Sequence, residues 1–189
     1  MSLAKLPDVD LVSANKEDQD VLTQLVRSLQ LRNPICIEIG SYIGTSANAL
    51  LRGGARHVYC IDIWNGCPID EENFKTSWAV GKEYGQLAFN EFCKNVPLLT
   101  HVTPIIGDSL WWAEHWPFKA DLIFIDGNHS YESVKADIKA WFRHVKLGGI
   151  ICGHDFGLDG VSKAVKELFQ QDYIIEINKY SVWSVRKIY

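Results

Sequence analysis

The sequence predicts an α/β protein built on a doubly wound, mostly parallel seven-stranded sheet with an antiparallel hairpin at its C-terminal edge. Three observations point there. From residue 35 onward, short apolar runs of strand length alternate with segments of helical period. Such alternation implies right-handed crossovers with helices on both faces of the sheet. The distinctive glycines and acids fall at the carboxyl ends of the apolar runs, where a sheet of this kind binds ligands. The last two runs lie too close together for a crossover helix, so they form a hairpin.

The elements follow in order. Asn15-Lys16-Glu17-Asp18 starts a helix, and Val21, Leu22, Leu25, Val26 and Leu29 recur with helical period until Asn33-Pro34 stops it. Residues 1–33 thus form an N-terminal helical segment. Ile35 to Ile39 is a strand ending at Gly40, Thr45 to Leu51 a helix closed by Gly53-Gly54, and His57 to Ile61 a second strand ending in Asp62. Pattern is lost between residues 64 and 85, and a helix resumes from Gln86 to Asn95. Val102 to Ile106 is the third strand, followed by Gly107-Asp108-Ser109 and a tryptophan-rich short helix. Asp121 to Asp126 is the fourth strand. Val134, Ile138, Trp141, Phe142 and Val145 line one face of a helix that runs to Gly148-Gly149. Ile150 to Cys152 is a fifth strand, Val161 to Phe169 a helix, and Tyr173–Ile177 and Val182–Val185 the closing pair.

A chain of 189 residues with 47% hydrophobic and 22% charged residues suits one globular domain, 1–189, with no linker or repeat to divide it. The net charge of −4 and the lack of a basic run exclude a nucleic-acid or anionic-membrane footprint, which leaves a small-molecule partner. Five cysteines form no C-x-x-C and no zinc-finger spacing. Cys36, Cys60 and Cys152 read as small buried hydrophobes, which implies a reducing compartment. The start MSLAKLPDVD carries no apolar leader, and no apolar stretch approaches the ~20 residues of a membrane span. A cytoplasmic location is expected.

Glu38-Ile39-Gly40-Ser41-Tyr42-Ile43-Gly44-Thr45-Ser46 joins the first strand to its helix. Two glycines four apart let the turn approach a ligand, and the helix start offers free N–H groups. Tyr42 stands where the second glycine of G-x-G-x-x-G would be, which disfavours a dinucleotide. Asp62 ends the second strand, where an acid accepts hydrogen bonds from both ribose hydroxyls of an adenosyl group. Asp108 and Ser109 either bind the adenine edge or cap the next helix.

Glu38-x-Gly40-x-x-x-Gly44, Asp62 and Gly107-Asp108-Ser109 resemble the cofactor motifs of class I S-adenosylmethionine-dependent methyltransferases. The run Asp121-Leu-Ile-Phe-Ile-Asp126-Gly-Asn-His129-Ser-Tyr131-Glu132-Ser-Val134-Lys-Ala-Asp137, with Leu147-Gly-Gly149 and His154-Asp155, is more specific. It resembles the small metal-dependent O-methyltransferases, the group of macrolide-sugar and catechol O-methyltransferases. The resemblance spans residues 34–170 and implies a Rossmann-like methyltransferase fold. It implies a cofactor site of Glu38, Gly40, Ser41, Gly44, Ser46, Asp62, Trp64, Asp108, Ser109 and Asp126. It also implies a divalent metal, usually magnesium, on Asp126 and Asp155. Their strands should be neighbours, so the carboxylates can converge on one hard cation. His154 departs from the pattern, because relatives carry a carboxylate or amide there. Imidazole suits manganese, iron or zinc better, so His154 is either a third ligand or a supporting hydrogen-bonding residue. His129 matches the proposed general base, and its unperturbed pKa near ~6.5 suits that role. Its alternative is a residue that bonds loop backbone.

The implied reaction is in-line methyl transfer from the sulfonium to a hydroxyl, catalysed by Asp126 and His129. The segment 64–85, with Trp64, Phe74, Trp78 and Tyr84, is long enough for a lid over the acceptor, with Trp64 flanking adenine. The same aromatics would equally suit a surface against another subunit, and seven tryptophans favour a homo-oligomer. Two other classes are a non-catalytic S-adenosylmethionine-binding protein and a nicotinamide-dependent oxidoreductase. The first would show no metal effect and no methyl transfer; the second would bind NAD instead.

Overall fold

The computed structural model describes residues 15–65, 82–97, 100–178 and 181–189. Helix α1 (Lys16–Ser28) starts at the N-cap Asn15, whose side chain accepts from the Asp18 N–H, with Glu17 and Asp18 in the first turn. Its apolar face of Leu22, Leu25 and Val26 packs on α2 (Thr45–Arg52), and the Thr23 hydroxyl donates to the Ala49 carbonyl across that contact. The chain then runs β1 (Ile35–Ile39), α2, β2 (His57–Asp62), α3 (Lys82–Asn95), β3 (Val102–Ile106), α4 (Ser109–His115) and β4 (Ala120–Ile125). It continues through α5 (Tyr131–Phe142), β5 (Val145–Gly153), α6 (Asp159–Phe169), β6 (Ile175–Ile177) and β7 (Trp183–Arg186).

The seven strands order as β3-β2-β1-β4-β5-β7-β6. β7 runs antiparallel to both β5 and β6, and the remaining pairs are parallel. This is the expected doubly wound sheet with its C-terminal hairpin. The chain builds outward from β1 to β3, then crosses back to place β4 on the other side of β1. The order therefore reverses between β1 and β4, and a crevice opens at their carboxyl ends.

Alternation along the central strands divides the core in two. Cys36, Val58, Cys60, Leu122, Phe124, Ile150 and Cys152 face α1, α2 and α3. Ile37, Ile39, Ile61, Ile123, Ile125 and Ile151 face α4, α5 and α6. Full burial of each such aliphatic side chain contributes about 2 kcal/mol. Cys36, Cys60 and Cys152 are free and fully buried, as expected, and burial raises their thiol pKa values. No helix among the described residues is long and apolar enough to cross a membrane.

Several element boundaries differ from the sequence reading by a few residues. α3 begins at Lys82, before Gln86, and β6 begins at Ile175, after Tyr173. The larger correction concerns Val145, which opens β5 instead of closing α5. Val145 pairs with Ala120 and the register then shifts to Leu122 with Ile150, so 146–149 form a bulge with Gly148 at φ +79°. Trp141 and Val145, four residues apart, both bury into the core on the same side of the sheet. That spacing imitates a continuing helix.

Candidate active site

Backbone bonds extend the sheet ladder one residue past the strands. Gly40 N donates to Ile61 O (2.9 Å), Gly107 N to Asp62 O (3.0 Å), Asp126 N to Ile39 O (2.8 Å) and His154 N to Ile125 O (3.2 Å). Gly107, Asp62, Gly40, Asp126 and His154 therefore stand in a row along the carboxyl edge, across the switch point.

The first turn is set by backbone. Gly40 and Gly44 both have φ +82°. A Cβ on Gly40 would lie 2.2 Å from the Asp126 carbonyl oxygen, so the ends of β1 and β4 pack backbone to backbone. Gly44 is the N-cap of α2, and Tyr42 between them also takes a positive φ of 44°. That conformation turns the Tyr42 N–H onto Asp62 Oδ2 (2.9 Å), while the Trp64 N–H donates to Asp62 Oδ1 (2.8 Å). Asp62 thus ties the β1 turn to the β2 turn. Burial raises its pKa, against the opposing pull of these N–H groups.

Trp64 sits at φ +37°, its indole N–H on the Tyr42 carbonyl (2.8 Å). Its ring packs against Phe89 and Phe92 at 4.9 and 5.0 Å and is 8% exposed. The indole packs into the core and braces the turn. Phe74 and Trp78 lie outside the described residues. The flanks of that segment meet: a Cβ on Gly85 would lie 1.9 Å from the Trp64 carbonyl oxygen.

Glu38 is fully buried on the α2 side of β1, in register with Cys60 and Phe124. Neither of its carboxyl oxygens, nor the buried Ser41 hydroxyl, has a hydrogen-bond partner among the described residues. Burial pushes its pKa up to about 7, with Ser41, Ser46 and Cys60 close enough to offset part of that cost. Ser46 is buried in the first turn of α2. At the end of β3 the capping alternative is realised. Asp108 is the N-cap of α4, accepting from Trp111 N at 2.9 Å, and the Ser109 hydroxyl donates to the Asp137 carboxylate.

The β4 and β5 ends bring side chains together. Ligand atoms of Asp126, His154 and Asp155 all lie within 4.8 Å of one another. His154 Nδ1 is 3.3 Å from Asp155 Oδ1 and 3.8 Å from Asp126 Oδ1. His129 Nε2 is 3.1 Å from Asp155 Oδ2 and 3.7 Å from Asp126 Oδ1. The Asp155 backbone takes φ +56° to present its carboxylate here, a strained conformation of the kind found at functional sites. Three of the four described non-glycine residues with positive φ, Tyr42, Trp64 and Asp155, stand at this edge. Burial opposes the charging of His154, but hydrogen bonding to Asp155, the Asp126 charge and hydrogen bonding to Asp18 push its pKa up to about 9. Burial raises the Asp155 pKa, and His154 with His129 outweighs it, leaving Asp155 below the usual range. Asp126, Asp155 and His154 form a set of two carboxylates and one imidazole that a divalent cation fits, with His129 beside it.

Residues that sequence reasoning missed stand behind this cluster. His154 Nε2 faces Asp18 Oδ2 at 3.0 Å and Ser181 Oγ at 2.7 Å. Asp18 reads locally as a helix-start acid, and nothing in the sequence links it to a partner 136 residues away. His57 meets Thr103, His101 the Arg56 carbonyl, His115 the Trp111 carbonyl and His144 the Ala113 carbonyl.

A protein-family profile described as "Methyltransferase domain" matches residues 37–156, from β1 to the residue after Asp155. Comparison with curated proteins by sequence gives no match. Among solved structures, the O-methyltransferase NovP superposes with a TM-score of 0.67 at 16% identity, covering 92% of this chain and 80% of that one. An O-methyltransferase from Bacillus cereus, in complex with S-adenosylhomocysteine (SAH), gives 0.63 at 18% identity, covering 93% and 83%. The SAH-bound methyltransferase PaMTH1 of Podospora anserina gives 0.68 at 16% identity, covering 97% and 82%. These likenesses establish the Rossmann-like methyltransferase fold. With the family profile matched over more than half its length, the chain belongs to the methyltransferase-domain family.

Proposed function

We propose that the protein is an S-adenosylmethionine-dependent O-methyltransferase acting on a small hydroxylated acceptor, a sugar or a phenol-like compound, with a divalent metal. The observation that carries this reading is the convergence of Asp126, His129, His154 and Asp155 at the switch point, beside the β1 turn.

The cofactor half fits a nucleoside and an amino acid. Asp62 accepts from the Tyr42 and Trp64 N–H groups, one on each oxygen, with Ser41 and Ile63 N–H groups near, and its exposed lone pairs suit ribose hydroxyls. Glu38 and Ser41 are buried polar groups whose oxygens make no hydrogen bond of standard geometry among the described residues, as suits a pocket for a cationic amino-acid end. When bound, S-adenosylmethionine supplies an electrophilic methyl, which passes in line to the acceptor oxygen while the sulfur keeps the bonding pair.

In the acceptor half, His129 acts as the general base, and Asp155, 3.1 Å from its Nε2, stabilises the imidazolium. A divalent ion held by Asp126, Asp155 and His154 Nδ1 would acidify and orient that hydroxyl. The imidazole favours manganese, iron or zinc over magnesium.

Calorimetric titration of S-adenosylmethionine and SAH, with and without manganese, combined with methyl transfer to sugars and phenols, tests the reading. Asp126→Ala and His129→Ala are expected to lower turnover by on the order of 100-fold or more, with SAH affinity within about twofold of the parent. Full turnover in both variants would remove the assigned roles. SAH binding with no transfer to any acceptor would leave a cofactor-binding protein without catalysis.

A further inference from the structure

We infer that Asp18, on the N-terminal helix, positions His154 as a nitrogen ligand by accepting a hydrogen bond from its Nε2, so that Nδ1 is the nitrogen turned to Asp126 and Asp155. The inference rests on the metal reading above and adds a residue to it from outside the matched region of 37–156.

The argument is geometric. Asp18 is 2% exposed, in the first turn of α1, with its carboxylate turned inward instead of into solvent. Its Oδ2 lies 3.0 Å from His154 Nε2, and the Ser181 hydroxyl lies 2.7 Å from the same nitrogen and 3.5 Å from Asp18 Oδ1. An ionised carboxylate accepts hydrogen bonds only. A lone pair on Nε2 would face that carboxylate and be repelled, so Nε2 carries a proton; Nδ1 faces Asp155 in the same way, and a cation bound there would take the place of its proton. Ser181 shares the Nε2 proton with Asp18 in a bifurcated hydrogen bond, and its own hydroxyl donates to Asp18 Oδ1 at 3.5 Å, which closes the triad.

The consequence falls on the opposite nitrogen. Nδ1, 3.3 and 3.8 Å from the nearest oxygens of Asp155 and Asp126, would offer its lone pair to a cation that displaces its proton, while Nε2 keeps its own on Asp18. A carboxylate behind a ligating imidazole fixes its tautomer and ring orientation and raises its basicity. α1, the end of β5 and the loop before β7 thus meet on one imidazole. In this arrangement α1 has a chemical task besides packing on α2: it aims the ligand whose residue type sets this centre apart from an all-oxygen site.

The test uses the full chain and manganese as the probe. Asp18→Ala and Asp18→Asn are titrated with manganese by calorimetry, and with SAH in the absence of metal. Loss of Asp18 is expected to weaken manganese binding by about 10- to 100-fold, with Asn retaining more than Ala and SAH affinity unchanged. Parent-like manganese affinity in both variants would overturn the inference while leaving the metal centre standing. A parent protein that binds SAH but no manganese would overturn the metal reading, and this inference with it. Should the variants fail to fold, nitrogen NMR of the ring-labelled parent protein with zinc decides. A proton on Nε2 and a metal-shifted Nδ1 support the assignment; the reverse tautomer defeats it.

Discussion

Around Asp62 the site is made by the backbone, whereas around Asp126 it is made by charged side chains. The β1–β2 half consists of N–H groups turned by positive φ at Gly40, Tyr42, Gly44 and Trp64, clamped on one carboxylate and backed by buried Glu38. The β4–β5 half consists of Asp126, Asp155, His129 and His154 balancing one another's charge, with only Asp155 at positive φ among the four. The difference separates two kinds of tolerance. A backbone-built pocket fails through sterics, and its failure unfolds the protein; a side-chain-built centre fails through chemistry and leaves the fold intact.

The sharpest way to break the comparison is Gly40→Ala. The new Cβ would meet the Asp126 carbonyl at 2.2 Å, and the residue would hold φ +82°. A loss of on the order of 4 kcal/mol in urea-unfolding stability is expected, together with loss of SAH binding. By contrast Asp126→Ala, whose side chain lies on the other side of that contact, should fold normally. Equal stabilities for the two variants would erase the distinction between the halves.

Next in size is Glu38→Gln. The folded-state pKa of about 7 lies above the 4.5 of a free glutamate, so the folded protein holds a proton that the unfolded chain releases. Its contribution is fully present below pH 4.5 and is lost as pH rises through 7. Asp137, pushed up to about 6 by burial, acts in the same direction and serves as the background. Removing the charge should raise ligand-free stability at pH 8 by on the order of 2 kcal/mol and flatten the pH dependence between 4.5 and 7. SAH affinity should fall in the same variant. A stability–pH curve unchanged from the parent would show that Glu38 is not charged in the ligand-free protein at pH 8.

The two halves also differed in what the sequence made legible. Gly40, Gly44, Asp62, Asp126 and Asp155 were readable because each sits at or just past a strand end, and strand ends in this topology share one edge. The destination of the Trp64 indole was not readable, since packing on Phe89 and Phe92 is decided by α3, across a segment without local pattern. Val145 was misplaced because helix and strand bury into one core, and only the pairing with Ala120 separates them. Asp18 escaped for the same reason on a larger scale, its partner being fixed by tertiary contact alone.

The smallest expected effect resolves a position that sequence left between two roles. Asp108 is exposed, and its carboxylate already accepts from the Trp111 N–H as the N-cap of α4. If capping is its whole task, Asp108→Ala costs about 1 kcal/mol of stability, the usual value for a lost N-cap, and SAH affinity stays within about twofold. Asp108→Asn, which keeps an accepting oxygen, should then restore most of that stability. A drop in SAH affinity of about tenfold in the Ala variant, with stability barely moved, would place Asp108 on the adenine instead. It would also extend the ligand-contacting edge as far as β3. The geometry favours the cap, because an α4 whose first turn lost that oxygen would leave the Trp111 N–H to water.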